Sequence, residues 1–336
     1  MSITIYDIAE EADVSIATVS RAFNNHPRVS SKTRKRIFEI AERHNYQPNA
    51  SAQSLARKNT YLISAIIPMM ANYFFLEVIR GLQDRIFGSE FDLTIYPVID
   101  PGQAPAQLER AMQRGRSEGM MLFSTWLTDD QADWLSAFPQ PVILVDSHHE
   151  LFDSIAVDNR KGGEMAVTHL LQTGFRRIGL VTANLAAVPA RDRKIGYKRA
   201  LQKAGIPFDP TLVVESKDVV VHGFSEECGY EDTLRLLAQA QDIDAIFATS
   251  DVQALGALRA FREVGLRCPE DIALMGYDDV KLAAFAGLST IRQPMNTLGN
   301  LAVEYFFKRL EDPNAEVTHI SLRPEVVARN TSAKLG

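Results

Sequence analysis

At 336 residues the chain is too long for one ordinary domain and suits two or three. Its composition, 46% apolar and 23% charged, is that of a globular protein with sizeable cores, and no apolar run approaches the ~18 residues of a membrane span. The formal charge of −6 hides an asymmetry, because residues 1–60 carry nine Lys/Arg against six Asp/Glu, net +3, which leaves the remainder at −9. A basic head on an acidic body fits a local polyanion site. The start, MSITIYDIAEEADV, has acids where a signal peptide has bases and lacks an apolar h-region. Cys228 and Cys268 sit in no CxxC pair, so a cytoplasmic protein with reduced, partly buried thiols is expected.

Three short helices are predicted first. Thr4, with Asp7 three residues on, forms a capping box before Ile5, Ile8, Ala9 and Ala12. Ser15 caps a second helix running to about Phe23, with Val19, Ala22 and Phe23 inward. A third starts after Ser30, turns Ile37, Ile40 and Ala41 inward, and ends before Pro48. Only a few residues separate the first two, which is helix-turn-helix spacing. The exposed positions of the second helix are Ile16, Ala17, Thr18, Ser20 and Arg21, with no acid among them. A major groove favours that set: Arg pairs with guanine, hydroxyls reach phosphate or base, and Ala or Ile touches the thymine methyl. Residues 49–58 are a weak helix by themselves, since short isolated helices are marginal in water.

From residue 61 on the pattern alternates. Strand-like runs fall at 62–67, 93–98, 120–123, 142–145, 155–157, 178–181, 245–248 and 272–275. Helical stretches fall at 74–88, 104–116, 129–137, 160–173, 191–204, 226–240 and 251–264. This predicts an all-α head followed by an α/β body of parallel sheets with helices on both faces. The elements are too many for one small sheet, so two lobes are expected: about 61–158 with a return at 294–320, and about 160–289 with the tail at 325–333. Ligands of open parallel sheets bind beyond the carboxyl ends of strands. That rule selects residues 70–74, Thr125, Trp126, Asp146 and His148 in lobe one. In lobe two it selects Asn184, Arg191, Arg193, Ser250, Asp251, Tyr277 and Asp278. Carboxylates, an Arg and rings around a cleft suit a polyhydroxylated ligand.

The stretch from Thr4 through VSIATVSRAFN to the YQPNASAQSLA segment resembles the DNA-binding head and hinge of the lac repressor (LacI/GalR) family. The body resembles that family's periplasmic-sugar-binding-protein-like core, through VDSHHE, ARDRKIGYKRAL, ATSDVQALGALRAF, PEDIALMGYDD and TIRQP. The resemblance implies that Ile16, Ala17 and Arg21 face base edges, with Thr4, Ser15, Thr18, Ser20, Asn24, Val29 and Ser30 at or near phosphates. The pair Ile16–Ala17 departs from the Tyr–Gln of the family's namesake, so a different operator is implied. The hinge from Asn49 to Lys58 would fold on DNA, with Leu55 as an apolar wedge in the minor groove. Asp146, Arg193, Ser250 and Asp278 would contact a mono- or disaccharide effector, with Asn72, Tyr73 and Phe74 bordering it. Asp218 stands where a ring often stacks on the sugar, and Trp126 could supply that ring instead. Phe75, Ile79 and Leu82 of helix 74–88, with the stretch after Val98, would form part of a homodimer interface, and two heads imply a pseudo-palindromic operator.

Other readings are weaker. Asp146, His148 and His149 superficially suggest a metal, but adjacent histidines point apart and no second ligand cluster supports them. Asp278 could cap the helix that follows it. No P-loop, dinucleotide fingerprint, nucleophile elbow or zinc signature appears, so no enzyme and no cofactor are expected. A transport-type binding protein fits the body but not the head.

Overall fold

The computed structural model describes residues 3–24, 26–46, 59–68, 72–98, 104–113, 117–218 and 222–333. Helices α1 (Ile5–Glu11), α2 (Ile16–Phe23) and α3 (Ser31–Arg43) form the head. Each is started by its own side chain chemistry. The Thr4 amide and hydroxyl both donate to Asp7 Oδ2 at 2.7 Å, holding that carboxyl below its usual range. Ser15 Oγ accepts from the Thr18 amide, and Ser30 Oγ from the Thr33 amide. The α1–α2 turn passes through Asp13 at φ 49°, a left-handed conformation that Asp tolerates better than most residues. Ile8, Val19, Ala22, Ile37 and Ile40 are buried between the helices, and the exposed Glu11 ties α1 to Arg43 and His44 at the end of α3.

Lobe one contains β1 (Leu62–Pro68), α4 (Tyr73–Ile86), β2 (Asp92–Val98), α5 (Ala104–Met112), β3 (Gly119–Phe123), α6 (Asp129–Ser136), β4 (Val142–Val145) and β5 (Asp153–Val157). Lobe two contains α7 (Asn159–Thr173), β6 (Ile178–Thr182), α8 (Val188–Lys203), β7 (Val213–Glu215), α9 (Glu226–Gln239), β8 (Ala245–Ala248), α10 (Asp251–Glu263), β9 (Ala273–Met275) and α11 (Lys281–Phe285). The chain then crosses back through β10 (Thr290–Arg292), adds α12 (Met295–Glu311) and β11 (His319–Leu322) to lobe one, and returns through β12 (Glu325–Val327). Sheet one is parallel, in the order β11-β5-β4-β3-β1-β2. Sheet two is parallel, in the order β7-β6-β8-β9. The crossing strands β10 and β12 pair antiparallel. Asp279 holds both of them, accepting from Arg292 and from Arg329 at 2.7 Å each.

Two expectations are corrected here. Phe75 and Leu82 are buried in lobe one's own core and Ile79 packs against it, so this stripe does not form a subunit surface. The reason is α12, a helix unassigned from the sequence, which lies directly on α4. A Cβ on Gly81 would sit 2.1 Å from the Asn296 carbonyl oxygen, and one on Gly299 2.1 Å from that of Val78. The outward face of α4 carries Tyr73 and Leu76 instead. Asp278 does not cap the next helix either. Val280 is the N-cap of α11, and its amide donates to Asp251.

Lobe two is organised by two equally tight helix pairs. In α7 and α8, a Cβ on Gly163 would meet the Arg193 carbonyl oxygen at 2.3 Å, and one on Gly196 the Arg160 carbonyl oxygen at 2.3 Å. In α9 and α10, Gly229 and Gly256 play the same part against Gln253 and Glu226.

Candidate binding cavity and nucleic-acid surface

The head presents α2 outward. Ile16, Ala17 and Arg21 are exposed, while Thr18 and Ser20 are half-buried. Ser15 and Ser30 cap the two helix N-termini, where backbone N–H groups and the helix dipole favour an anion. Among the described residues, Arg21, Arg28 and Lys32 make no ion pair within the head, whereas Arg43 is held by Glu11. The Val29 side chain is buried in the head core, so any phosphate contact at this position belongs to its main chain. Asn24 donates to the Ser20 carbonyl and caps α2 at its carboxyl end. Asn49 and Leu55 lie outside the described residues.

Between the lobes lies a cavity of about 400 Å³. Strand ends build its polar floor. Asp146 follows β4 at φ 54°, is buried, and accepts from Ser124 Oγ at 2.7 Å through Oδ2, while Oδ1 accepts no hydrogen bond among the described residues. Burial raises its carboxyl above the usual range, against the pull of Ser124 and Arg193. Asp278 follows β9 and accepts from Gln293 Nε2 at 2.6 Å. Arg193 reaches in from α8, 4% exposed, donating to Asn159 Oδ1 at 2.8 Å and to the Thr249 carbonyl at 2.6 Å. Its guanidinium lies 3.6 Å from Asp278 and 3.7 Å from the centre of the Tyr277 ring. One cation thus serves two buried carboxylates at the meeting of both lobes. Phe74, Trp126 and Phe224 add aromatic wall.

A model of the lacI family of bacterial regulatory proteins matches residues 4–49, and one of the periplasmic binding protein-like domain matches residues 167–332. The ribose operon repressor of Haemophilus influenzae is 34% identical over 98% of this chain and 98% of its own length. The chain belongs to the LacI family of bacterial regulatory proteins. Catabolite control protein A of Priestia megaterium is 30% identical over 99% of this chain and all of its own. The lac repressor dimer bound to operator and an anti-inducer superposes with a TM-score of 0.85 at 27% identity, covering 99% of this chain and 100% of that one. A cellobiose complex of the regulator CelR (TM-score 0.73, 25% identity, 98% of this chain, 99% of that one) shares the fold. So does a ribose-bound regulator of Enterococcus faecium (0.72, 26%, 82% of this chain, 100% of that one). This LacI-family regulator is therefore a DNA-binding transcriptional regulator with a periplasmic-binding-protein-like body. No helix among its described residues is long and apolar enough to cross a membrane.

The structure brings Asn72, Phe74, Trp126, Asp146, Arg193 and Asp278 of the predicted set onto one cavity wall. Tyr73 and Ser250 are not on that wall. Tyr73 is on the exposed face of α4. Ser250 is buried as the N-cap of α10, accepting from the Gln253 amide and donating to its Oε1. Asp218 accepts from the Gly223 amide and does not line the cavity. Phe224, two residues before α9, is the ring on that flank that the sequence did not reveal. His148 stacks edgewise on His319, and His149 turns instead to Asp129.

Asp278 has a measurable consequence. Burial pushes its carboxyl up to about 6, although Arg193 and Gln293 pull the other way. The folded state then holds this proton more tightly than the unfolded one. Between pH ~4 and ~6 the group's contribution to stability falls as pH rises. In ligand-free protein at pH 7, Asp278→Asn should raise stability by roughly 1–3 kcal/mol, with the gain vanishing near pH 4. Thermal unfolding at the two pH values checks this, and equal stability at pH 7 refutes it.

Proposed function

We propose that this regulator represses carbohydrate-utilisation genes and that a small sugar-like effector between its lobes sets its operator affinity. The observation that carries the reading is the convergence of Asp146 from lobe one with Arg193 and Asp278 from lobe two on one cavity. Paired carboxylates and a guanidinium suit vicinal hydroxyls, and Trp126 and Phe224 suit a ring face. The ribose- and cellobiose-bound relatives support a sugar. A ligand gripping both lobes favours their closed arrangement, and control follows from its different affinity for the two arrangements of the dimer. We read the protein as a cytoplasmic homodimer that is not an enzyme.

On DNA, Ile16, Ala17 and Arg21 read the major groove, while Thr4, Ser15, Thr18, Ser20, Asn24, Ser30 and the Val29 main chain approach phosphates. Asn49 and Leu55 belong to the hinge, with Leu55 the wedge in the minor groove. Arg21→Ala should weaken binding to the correct operator by ~1–3 kcal/mol and relax discrimination at one base pair. An equal loss on random DNA would make Arg21 a phosphate contact only. For the effector, thermal unfolding against a panel of mono- and disaccharides is the test, with Arg193→Ala as control. A ligand at 100 times its Kd stabilises by ~2.7 kcal/mol. No shift with any sugar would overturn the sugar reading.

A further inference from the structure

The chain turns sharply just before β1, through a conformation that its residue type disfavours. Tyr61 has φ 54°, in the left-handed region, where a Cβ crowds the following carbonyl. An aromatic residue there is an outlier that persists only when its surroundings impose it. Both neighbours of β1 in the sheet order β3-β1-β2 do so. On the β2 side, the Asp92 amide donates to the Tyr61 carbonyl at 2.8 Å, and the Phe91 ring meets the Tyr61 ring edge-on with centroids 5.5 Å apart. On the β3 side, Glu118 Oε1 accepts from both the amide and the hydroxyl of Thr60, the latter at 2.9 Å. The Glu118 amide donates to the Leu62 carbonyl at 2.8 Å, and the Leu62 amide donates to Thr60 Oγ1 at 3.3 Å. The β1–β2 register begins one residue later, at Leu62 with Asp92, so the ladder itself does not call for this φ. What φ at Tyr61 decides is the course of the chain on its amino-terminal side. At an extended value of about −120° the departing chain would be rotated by roughly 170° about the Tyr61 N–Cα bond. That departing chain leads to the head, which carries α2.

We infer that Thr60, Tyr61 and Glu118 form a fixed elbow that aims the head's connection to the body, and that Glu118, acting through Thr60, is a positioning residue for operator binding. This rests on the homodimer reading. Both heads of a dimer must meet half-sites about one helical turn of DNA, ~34 Å, apart. Freedom at the elbow lowers the effective concentration of the second head once the first is bound. Operator binding needs both heads and is weakened. Binding to random duplex rests on phosphate contacts and is not.

The test uses the full chain and an operator selected with the wild type from a pool of random duplexes. Affinity is measured for that duplex, for a scrambled duplex of equal length, and for the operator with one or two base pairs inserted at its centre. Glu118→Ala is expected to weaken operator binding about tenfold or more, to leave scrambled binding within about twofold, and to lessen the penalty for inserted base pairs. Glu118→Gln has the same charge as Glu118→Ala but keeps Oε1 as acceptor, and should bind the operator nearly as the wild type does. Tyr61→Gly adopts the left-handed φ without strain yet does not hold it, so it should resemble Glu118→Ala. Each comparison is a ratio within one variant, so a general loss of stability does not move it, and Thr60→Val serves if Glu118→Ala does not fold. An unchanged operator-to-scrambled ratio in Glu118→Ala and Tyr61→Gly, with the wild type sensitive to spacing, would overturn the elbow and leave the homodimer reading standing. So would Glu118→Gln binding the operator as weakly as Glu118→Ala, since the charge and not the hydrogen bond would then matter. Wild-type binding that is indifferent to spacing would overturn both.

Discussion

Arg193→Ala is expected to abolish effector binding and to destabilise the ligand-free protein by about 3–5 kcal/mol, the range for removing one partner of a buried charge pair. The side chain is 4% exposed. Its loss leaves the Thr249 carbonyl and Asn159 Oδ1 without their donor, uncovers the Tyr277 ring, and takes the counter-charge from Asp278 and Asp146. Both carboxyls are already raised by burial, so they respond by holding their protons at higher pH. The destabilisation should therefore shrink on acidification. Adding Asp278→Asn to Arg193→Ala should recover part of the stability at pH 7 and none of the binding. Chemical denaturation of the four proteins at pH 7 and pH 5 forms the cycle. Additive effects at pH 7 would show that the two side chains do not act as a pair.

Gly163→Ala is the second large effect, and its sign is diagnostic. Intrinsic helix propensity alone favours Ala over Gly by ~1 kcal/mol. Here the added carbon would lie 2.3 Å from the carbonyl oxygen of Arg193 on the facing helix, and backbone does not yield as a flexible side chain would. Overpacking of this kind costs ~1–3 kcal/mol and occasionally more, so a net loss of roughly 2 kcal/mol is expected. The displaced backbone is that of Arg193 itself, so effector affinity should fall in the same variant although residue 163 does not line the cavity. A variant that melts above the wild type would show that α7 and α8 can slide apart freely. Gly163→Val should be worse than Ala on both measures.

Local chemistry was the legible part of this chain. Thr4, Ser15 and Ser30 announce helix starts because their hydroxyls act on backbone within three residues. The runs at 62–67, 142–145 and 245–248 announce strands because buried parallel strands are apolar on both faces. Elements held only by distant partners were not legible. Helix α12 follows Pro294 without a side-chain cap. The strands β7, β10 and β12 have three residues each, too few for a periodic signal. In the cavity, the strand-end rule selected Asp146, Arg193 and Asp278. It could not separate Tyr73 from Phe74, since successive helical residues turn about 100° apart and only one of this pair faces the cleft. It gave no reason to set Ser250 aside, because the hydroxyl's engagement with Gln253 appears only once α10 is built. Phe224 follows an irregular segment, where sequence spacing carries no direction.

The three passages between the lobes also fix the order in which they can be completed during synthesis. Sheet one is not finished until β11 pairs with β5, and Thr318 and Asp153, which join them, are 165 residues apart. The core of that lobe likewise waits for Leu298, Val303 and Phe306 of α12. At ~5–20 residues per second a ribosome needs roughly 8–33 seconds to supply the missing piece. Sheet two lies within one continuous stretch, from Ile178 to Met275, and emerges entirely inside that interval. The later-encoded lobe can thus assemble first, while the earlier one waits with the edge of β5 unpaired and the apolar face of α4 uncovered. A chain halted near residue 300 would carry a complete second sheet, still short of the Thr331 hydroxyl that bonds Ser289 and Leu274, and an aggregation-prone first lobe.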